Sequence, residues 1–552
     1  MKKSVLAILL FLLCSTTTAI AQHACGTAQV LRNLLEQRNG SPIKELVSKP
    51  TLALTSSDAC TIEDYYDEIL TQTSEHFQIF YTLDGPHKAT QEYIDSLSKH
   101  LEYAWNFHVK KTGMLPPLGI SKSFHYQQDV FPGLYPVEVL DIDLIRDSKS
   151  LFGANGACHG CYGLTIPFDS TQSTLIIDND FRCTPRSNAT KASVHYNGKE
   201  CFYEEATQDL TNSAHGYSYS TEWNQGLRVT AAHELYHAIQ LRFLDFQKLY
   251  KIPFWFEASA MGVEEVVAPD VDDYFNYLSK FSNSIGISFD NLSEDYGPGL
   301  FFMYLYKFVD KGFDKSIWES FSSEPSKPFQ HHLAKYTKKH KLSADSLFHS
   351  FAVKLSFTGS RAPLVDSNFW INNDQPRWPE FKTVEQAGDF EPYSLNELSY
   401  RFYSNGKPDL SKFTGKSSAV SISDNRYSLR FLPNTNSVDS VYIESTSSSA
   451  DSIIWILSRF TEVDPIPTVF KDSTLRAFPT PWRHGHLCFT PLPQDKEYIE
   501  IRNRRGNLVE KIKYDNYTLC LDENKVKSLM VPGVYRFRAG NSGKLKDFIV
   551  IY

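Results

Sequence analysis

The chain reads as an α+β protein: a mixed sheet bearing one central helix, a helical half after it, and β-sandwich domains behind. Three observations predict this. Between His76 and Asp178, β-branched or aliphatic runs flank one long amphipathic stretch, Ala89 to Lys111, in which Tyr93, Ile94, Leu97, Leu101, Ala104 and His108 recur at helical spacing. From Asp270 to Phe357 four segments carry apolar residues three and four apart. Near 385 the composition shifts towards Ser, Asn and Thr, with short alternating strands.

At 552 residues the chain has length for two to four domains, and 41% hydrophobic with 22% charged residues is an ordinary globular balance. A net charge of −8 leaves no basic footprint for nucleic acid. Met1 to Ala21 reads as a signal peptide: Lys2 and Lys3, an apolar run from Val5 to Leu13, and Ala19-Ile20-Ala21 before Gln22. That run is too short to span a bilayer, and Leu12-Leu13 argue against a lipoprotein signal at Cys14. No later stretch is long enough for a transmembrane helix, so the expectation is a soluble protein that is secreted or otherwise outside the cytoplasm, with its oligomeric state open.

Removing Cys14 leaves eight cysteines, an even number that suits disulfides in an exported chain. Their clustering suggests Cys25 with Cys60 and Cys488 with Cys520. It leaves Cys158, Cys161, Cys183 and Cys201 without an assignable pairing, and Cys158-His159-Gly160-Cys161 reads either as part of that framework or as a redox or zinc pair.

In chain order, residues 22–72 form an N-terminal arm, either a removable propeptide or a segment clipped to the body, with a short helix from Ala28 to Gln37. Phe77 to Leu83, Pro136 to Leu144 and Ser173 to Asp178 read as strands. Asp178-Asn179-Asp180 reads as a turn or as part of a calcium site. After a polar, Tyr-rich loop, Val229, Ala232, Leu235, Tyr236, Ile239 and Phe243 make a helix apolar over most of its girth. Asp270 to Ser282, Leu300 to Lys311, Phe329 to Lys339 and Ser343 to Phe357 form the helical half. The domains expected are 73–385, a β-rich accessory domain over 386–489, and a sandwich-like module over 490–552 that begins with the strand Tyr498 to Ile501 and ends with Phe548 to Tyr552.

The central helix carries His233-Glu234-Leu235-Tyr236-His237. Positions four apart share one helix face, so both imidazoles can converge on one metal ion. Glu234 lies about 100° round from His233 and can reach water there without joining the ligands. Zinc suits such a site, because it accepts neutral imidazoles and lowers the pKa of water to about 7. A third ligand is expected at Glu257, in Trp255-Phe256-Glu257-Ala258-Ser259-Ala260, since Asp245 to Pro253 allow the chain to fold back.

His-Glu-x-x-His followed by Glu at this spacing resembles the gluzincin zinc peptidases, namely thermolysin and the neutral zinc aminopeptidases. More closely, His233 to Gln240 with Trp255 to Ala260 is similar to a family of secreted bacterial metalloproteases, over residues 75–385 or so. The resemblance implies a zincin-like catalytic domain. In it His233, His237 and Glu257 hold one Zn2+, and Glu234 accepts the proton of the attacking water. The aminopeptidases carry Tyr-x-x-Gly at the place of Tyr296-Gly297-Pro298-Gly299, which gives Tyr296 the part of a donor to the oxyanion. Two departures matter. Thermolysin-like enzymes place Asp four residues after the ligand Glu, where this chain has Met261; Glu264, Glu265 or another group takes that part. The Gly-x-Met-Glu-Asn motif that grips a substrate amino terminus is absent, which favours an endopeptidase of protein or peptide substrates over an aminopeptidase. A surface binding protein that retains the fold without turnover is the rival outside enzymology.

Overall fold

The computed structural model describes residues 26–37, 60, 62–144, 160–169, 171–185, 188–196, 198–244, 253–292, 296–385, 392–404, 408–411, 413–423, 426–432, 452–461, 475–478, 482–483, 487–490, 492–493, 496–514, 519–540 and 545–551. The stretch Met1 to Ala21, expected to be a signal peptide, and the Val441 to Glu444 run lie outside them. Two compact units result, Met1–Val463 and Asp464–Tyr552. The architecture is α+β.

The first sheet has six strands: β1 (Leu70–Thr73), β2 (Phe77–Tyr81), β3 (Leu118–Gly119), β4 (Tyr135–Val139), β5 (Gly163–Pro167) and β6 (Gln172–Ile177). β1 pairs antiparallel with β2, and β2, β4 and β6 then run parallel, with β3 also parallel to β6. β5 lies antiparallel on the free side of β6, in register from Gly163 opposite Ile177 to Pro167 opposite Ser173. β2, β4 and β5 are buried along their whole length and β6 nearly so. That burial on both faces explains their continuous apolar runs. The strands expected at 77–83, 136–144 and 173–178 are present at 77–81, 135–139 and 172–177; after β4 the chain bends into a single tight turn at Ile142–Leu144.

Among the helices, α1 spans Thr27–Gln37 and α2 spans Gln91–Trp105, the latter started by the Thr90 hydroxyl, which accepts from Tyr93 N. The central helix α3 is Trp223–Gln240, and every residue from Val229 to Gln240 in it is buried. It packs on α2, on β5 and β6, and on α4 (Trp255–Val267). The helical half continues with α5 (Phe275–Asn283), α6 (Gly299–Phe308), α7 (Phe313–Ser323), α8 (Phe329–Lys339) and α9 (Ala344–Leu355). α6 presses closely on α4: a Cβ on Gly299 would lie 2.4 Å from Met261 Cε, and one on Gly262 would strike Phe302. Met261 is therefore packing between helices.

A five-stranded sheet follows within the same unit, ordered Val384–Glu385, Ser399–Ser404, Ser452–Arg459, Lys416–Ser423, Arg426–Leu432. Leu398, Tyr400, Phe402, Val420, Ile454 and Ile456 join the core built by the helices. Among its described residues the second unit has a three-stranded and a four-stranded sheet around a core containing Trp482, Phe489, Phe537 and Phe548, with a short helix, Glu523–Leu529.

Cys488–Cys520 forms as expected, but Cys60 bonds Cys201, which corrects the expected Cys25–Cys60 pair. The cause is spatial. The turn at Ile62–Tyr65 lies against the hairpin Lys191–Tyr196/Lys199–Glu204, where Lys199 Nζ holds Asp64 at 2.9 Å. Cys161 is also disulfide-bonded. Asp178 closes a turn, its carboxylate accepting from Ile142 N at 3.1 Å and Phe181 N at 2.7 Å. No helix among the described residues is long and apolar enough to cross a membrane.

Candidate metal centre

His233 and His237 lie one turn apart on α3, with ring centroids 4.5 Å apart. Glu257 occupies the first turn of α4, which the neighbouring aromatic residues fix in place. Trp255 sits among Phe301, Phe302, Phe313 and Phe329 and donates through Nε1 to Asp314 Oδ1 at 3.0 Å. Phe256 stacks on His237 at 4.2 Å. Between these two anchors the Glu257 carboxylate points at both imidazoles, its Oε2 being 3.4 Å from His233 Nε2 and 3.5 Å from His237 Nε2.

Those separations have a specific meaning. Two donors each about 2.0–2.1 Å from a tetrahedral ion stand about 3.4 Å apart, whereas a direct hydrogen bond would be near 2.9 Å. His237 Nε2 and both Glu257 oxygens are buried and make no hydrogen bond. His233, Glu234, His237 and Glu257 are only 3%, 1%, 0% and 1% exposed, so bulk solvent does not reach them. An uncompensated carboxylate at such depth costs several kcal/mol, which a divalent cation would offset. Burial tends to raise the Glu257 carboxyl, but in the absence of a metal the His237 and His233 rings, when protonated, outweigh it and hold it down at about 2. The three residues could together hold a metal ion.

The outer nitrogens determine which way the imidazoles face. Gln240 Nε2 donates to Phe256 O at 2.9 Å and to Ser259 Oγ at 3.0 Å, which turns Oε1 towards His237 Nδ1, 2.7 Å away. His237 therefore carries its proton on Nδ1 and presents the Nε2 lone pair inward. His233 is held the same way, because the partner of its Nδ1 is the Glu264 carboxylate, an acceptor when ionised. Glu264, one turn beyond Met261 on α4, thus stands against His233, while Glu265 turns away to Asn372. Behind Glu264 lies Asp273, which accepts from Tyr219 at 2.7 Å and Tyr162 at 3.5 Å. Burial and the neighbouring Glu264 push Asp273 up to about 7.

Glu234 faces the sheet. Its Oε2 accepts from Thr165 Oγ1 at 2.8 Å and Thr27 Oγ1 at 3.0 Å, and Thr165 Oγ1 also reaches Glu234 O at 2.9 Å. Gly163 permits this closeness, since a Cβ there would lie 2.7 Å from Glu234 Cγ. Tyr296 is placed with its ring 6.0 Å from that of His233 and 4.5 Å from that of Tyr277. All five candidate residues, His233, Glu234, His237, Glu257 and Tyr296, are therefore gathered in one region. Thr27, Thr165 and Gln240 were missed. Gln240, three residues beyond His237, was the one visible in the pattern, because positions three apart share a helix face.

No family model and no curated protein matches the chain. Among solved structures there is a match to the chain described as PorZ, an essential bacterial surface component of the type-IX secretion system of Porphyromonas gingivalis. It has 14% identity and a TM-score of 0.13, and it covers 18% of this chain and 14% of that one.

Proposed function

We propose that the chain is a secreted zinc-dependent endopeptidase with a zincin-like catalytic part and a sandwich-like C-terminal unit. One observation carries the reading: a buried Glu257 oxygen stands 3.4 Å from His233 Nε2 and 3.5 Å from His237 Nε2, with Glu234 on the same helix turn as those imidazoles. Imidazole and carboxylate donors in that number suit zinc, which when bound would polarise the scissile carbonyl and acidify water.

The chain's own residues do the rest. Glu234 takes a proton from the attacking water and passes it to the leaving amine. Tyr296 donates to the oxyanion. Gln240 and Glu264 fix the tautomers of the two ligand imidazoles. β5, antiparallel on the side of the sheet next to α3, is where an extended substrate backbone would add. The N-terminal arm lies on that strand: Gly26 N donates to Gly163 O at 3.4 Å and Thr165 N to Thr27 Oγ1 at 2.7 Å. In this reading the arm is a propeptide-like mask.

The near-complete burial of Glu234 favours one competing reading, a binding protein that keeps the fold without turnover. Metal analysis coupled to casein digestion, with and without chelator, on the full chain and on a variant lacking residues 22–37, separates them. The peptidase reading requires stoichiometric zinc and chelator-sensitive cleavage in the shortened form. Blocking the substrate amino terminus tests the aminopeptidase alternative.

A further inference from the structure

At the far end of α4 a second group of acids is assembled. Glu265 in its last turn, Asp272 in the following loop and Asp374 in the segment between Trp370 and Trp378 each bring one carboxylate oxygen within 4.8 Å of the other two. Glu265 and Asp272 are 8% and 4% exposed. Several of their oxygens are accounted for. Asn372 Nδ2 donates to Glu265 Oε1 at 2.6 Å. Arg377 Nη1 spans Asp272 Oδ2 at 3.1 Å and Asp374 Oδ1 at 2.9 Å, and His215 Nε2 stands 3.2 Å from Asp272 Oδ2. Two oxygens are left over: Glu265 Oε2 and Asp272 Oδ1 are buried without a hydrogen-bond partner.

We propose that Glu265, Asp272 and Asp374 form a binding site for Ca2+ that fastens the end of α4 to the segment carrying Asn372 and Asp374. Oxygens about 2.3–2.6 Å from one ion lie at most about 5 Å apart, which the observed grouping meets. The candidate donors are all carboxylate oxygens, the set a hard cation takes. Arg377 and the His215 imidazole are the basic groups that stand against the three carboxylates. Asp272 also has φ +56°, a left-handed conformation that a non-glycine residue keeps only where its surroundings hold it.

The site is distinct from the His233 cluster and does not rest on the peptidase reading. It would still serve that cluster, since Glu264, which holds His233, and Asp273, which stands behind Glu264, are the sequence neighbours of Glu265 and Asp272. The competing occupant is a proton shared between Glu265 Oε2 and Asp272 Oδ1.

Terbium titration of the full-length protein tests the site directly. Trp378 Nε1 donates to the Tyr274 hydroxyl at 2.9 Å, and that hydroxyl feels the charges of Glu265, Asp272 and Asp374, so excitation through these rings should light a bound Tb3+. The expected result is sensitised emission that Ca2+ competes away, with Tm rising by several degrees at about 1 mM Ca2+. Glu265→Gln, which keeps shape and removes one charge, should weaken Ca2+ competition at least tenfold. His237→Gln should leave the Ca2+ response intact, so a failed zinc reading would not be mistaken for a failed calcium site. An unchanged Tm and absent Tb3+ emission at about 10 mM ion, or a Glu265→Gln protein that responds like wild type, would overturn the proposal in favour of the shared proton.

Discussion

Thr27 Oγ1 lies 3.0 Å from Glu234 Oε2 and donates to it, 207 residues away along the chain. The same hydroxyl accepts from Thr165 N at 2.7 Å, so one side chain bridges the edge strand and the carboxylate assigned as general base. Behind it Val30, Leu31 and Leu34 of α1 are fully buried. Each such side chain contributes about 1.5–3 kcal/mol on burial, so the arm is held by its helix more than by Thr27.

That ordering predicts different outcomes for two variants. Deleting residues 22–37 uncovers β5 and should raise casein hydrolysis by about tenfold or more. Thr27→Val leaves α1 in place and removes two hydrogen bonds of about 0.5–1.5 kcal/mol each, so it should raise hydrolysis less than the deletion does. A folded deletion protein that cleaves no faster than the full chain would show that the arm supports Glu234 instead of covering it.

The helix of His233 and His237 was legible because four-residue spacing and an apolar girth survive any loop geometry. Glu257 was legible because an acid between Phe256 and Ala258 has few other uses. The choice between Glu264 and Glu265 was not, since adjacent positions on α4 face about 100° apart and only packing on α6 orients the helix. β5 escaped because Gly163 and Pro167 look like turn residues, yet Gly163 is there to let Glu234 approach. The hairpin at Lys191–Tyr196 and Lys199–Glu204 escaped because, although Ala192, Val194 and Tyr196 alternate with polar residues, no residue of the first strand is fully buried and only Cys201 is in the second. With it went the Cys60–Cys201 pairing, which depends on that hairpin folding back onto the turn at Ile62–Tyr65.

Glu234→Gln should retain metal and lose about a hundred- to ten-thousand-fold in turnover, because the ligands survive while the proton acceptor does not. Gly163→Ala should resemble it in direction, since the added methyl would fall 2.7 Å from Glu234 Cγ and 2.8 Å from Thr230 Cγ2, touching no ligand. Metal content and initial rates on both proteins check this. Wild-type turnover by Glu234→Gln would remove Glu234 from the mechanism.

His349 supplies a prediction for pH. It is buried between α9 and two strands, with Ser458 Oγ at 2.7 Å and Ser418 Oγ at 2.6 Å. Burial, helped by Lys416, pushes its pKa down to about 3. In the unfolded chain it titrates near 6.5, so between those values the unfolded state binds the extra proton and stability falls as pH drops. The stabilisation is whole above about 6.5 and is lost progressively towards 3, with a slope of about 1.4 kcal/mol per pH unit per proton. His349→Gln should flatten the decline of unfolding free energy between pH 6 and 4 by about one proton's worth. An unchanged slope in denaturant titrations across that range would mean His349 is protonated in the fold.

Glu257 and Glu264 sit on one helix and reach the same imidazole from opposite sides, Glu257 near His233 Nε2 and Glu264 on Nδ1. Their removal should therefore separate. Glu257→Ala takes away one of three donors and leaves two neutral imidazoles, too few for a lasting site, so zinc and activity should vanish together. Glu264→Gln keeps the bulk of the side chain but offers His233 Nδ1 an amide that can present either a donor or an acceptor. Loss of such a supporting carboxylate typically weakens metal binding about 10–100-fold, so this variant should recover activity as zinc is added. Glu265→Ala, whose carboxylate faces Asn372, should bind zinc as tightly as the wild type. Zinc titrations against a competing chelator rank the four proteins. If Glu264→Gln binds as tightly as wild type while Glu265→Ala does not, the assignment of Glu264 as the support of His233 is wrong, and the second acid has to take its place.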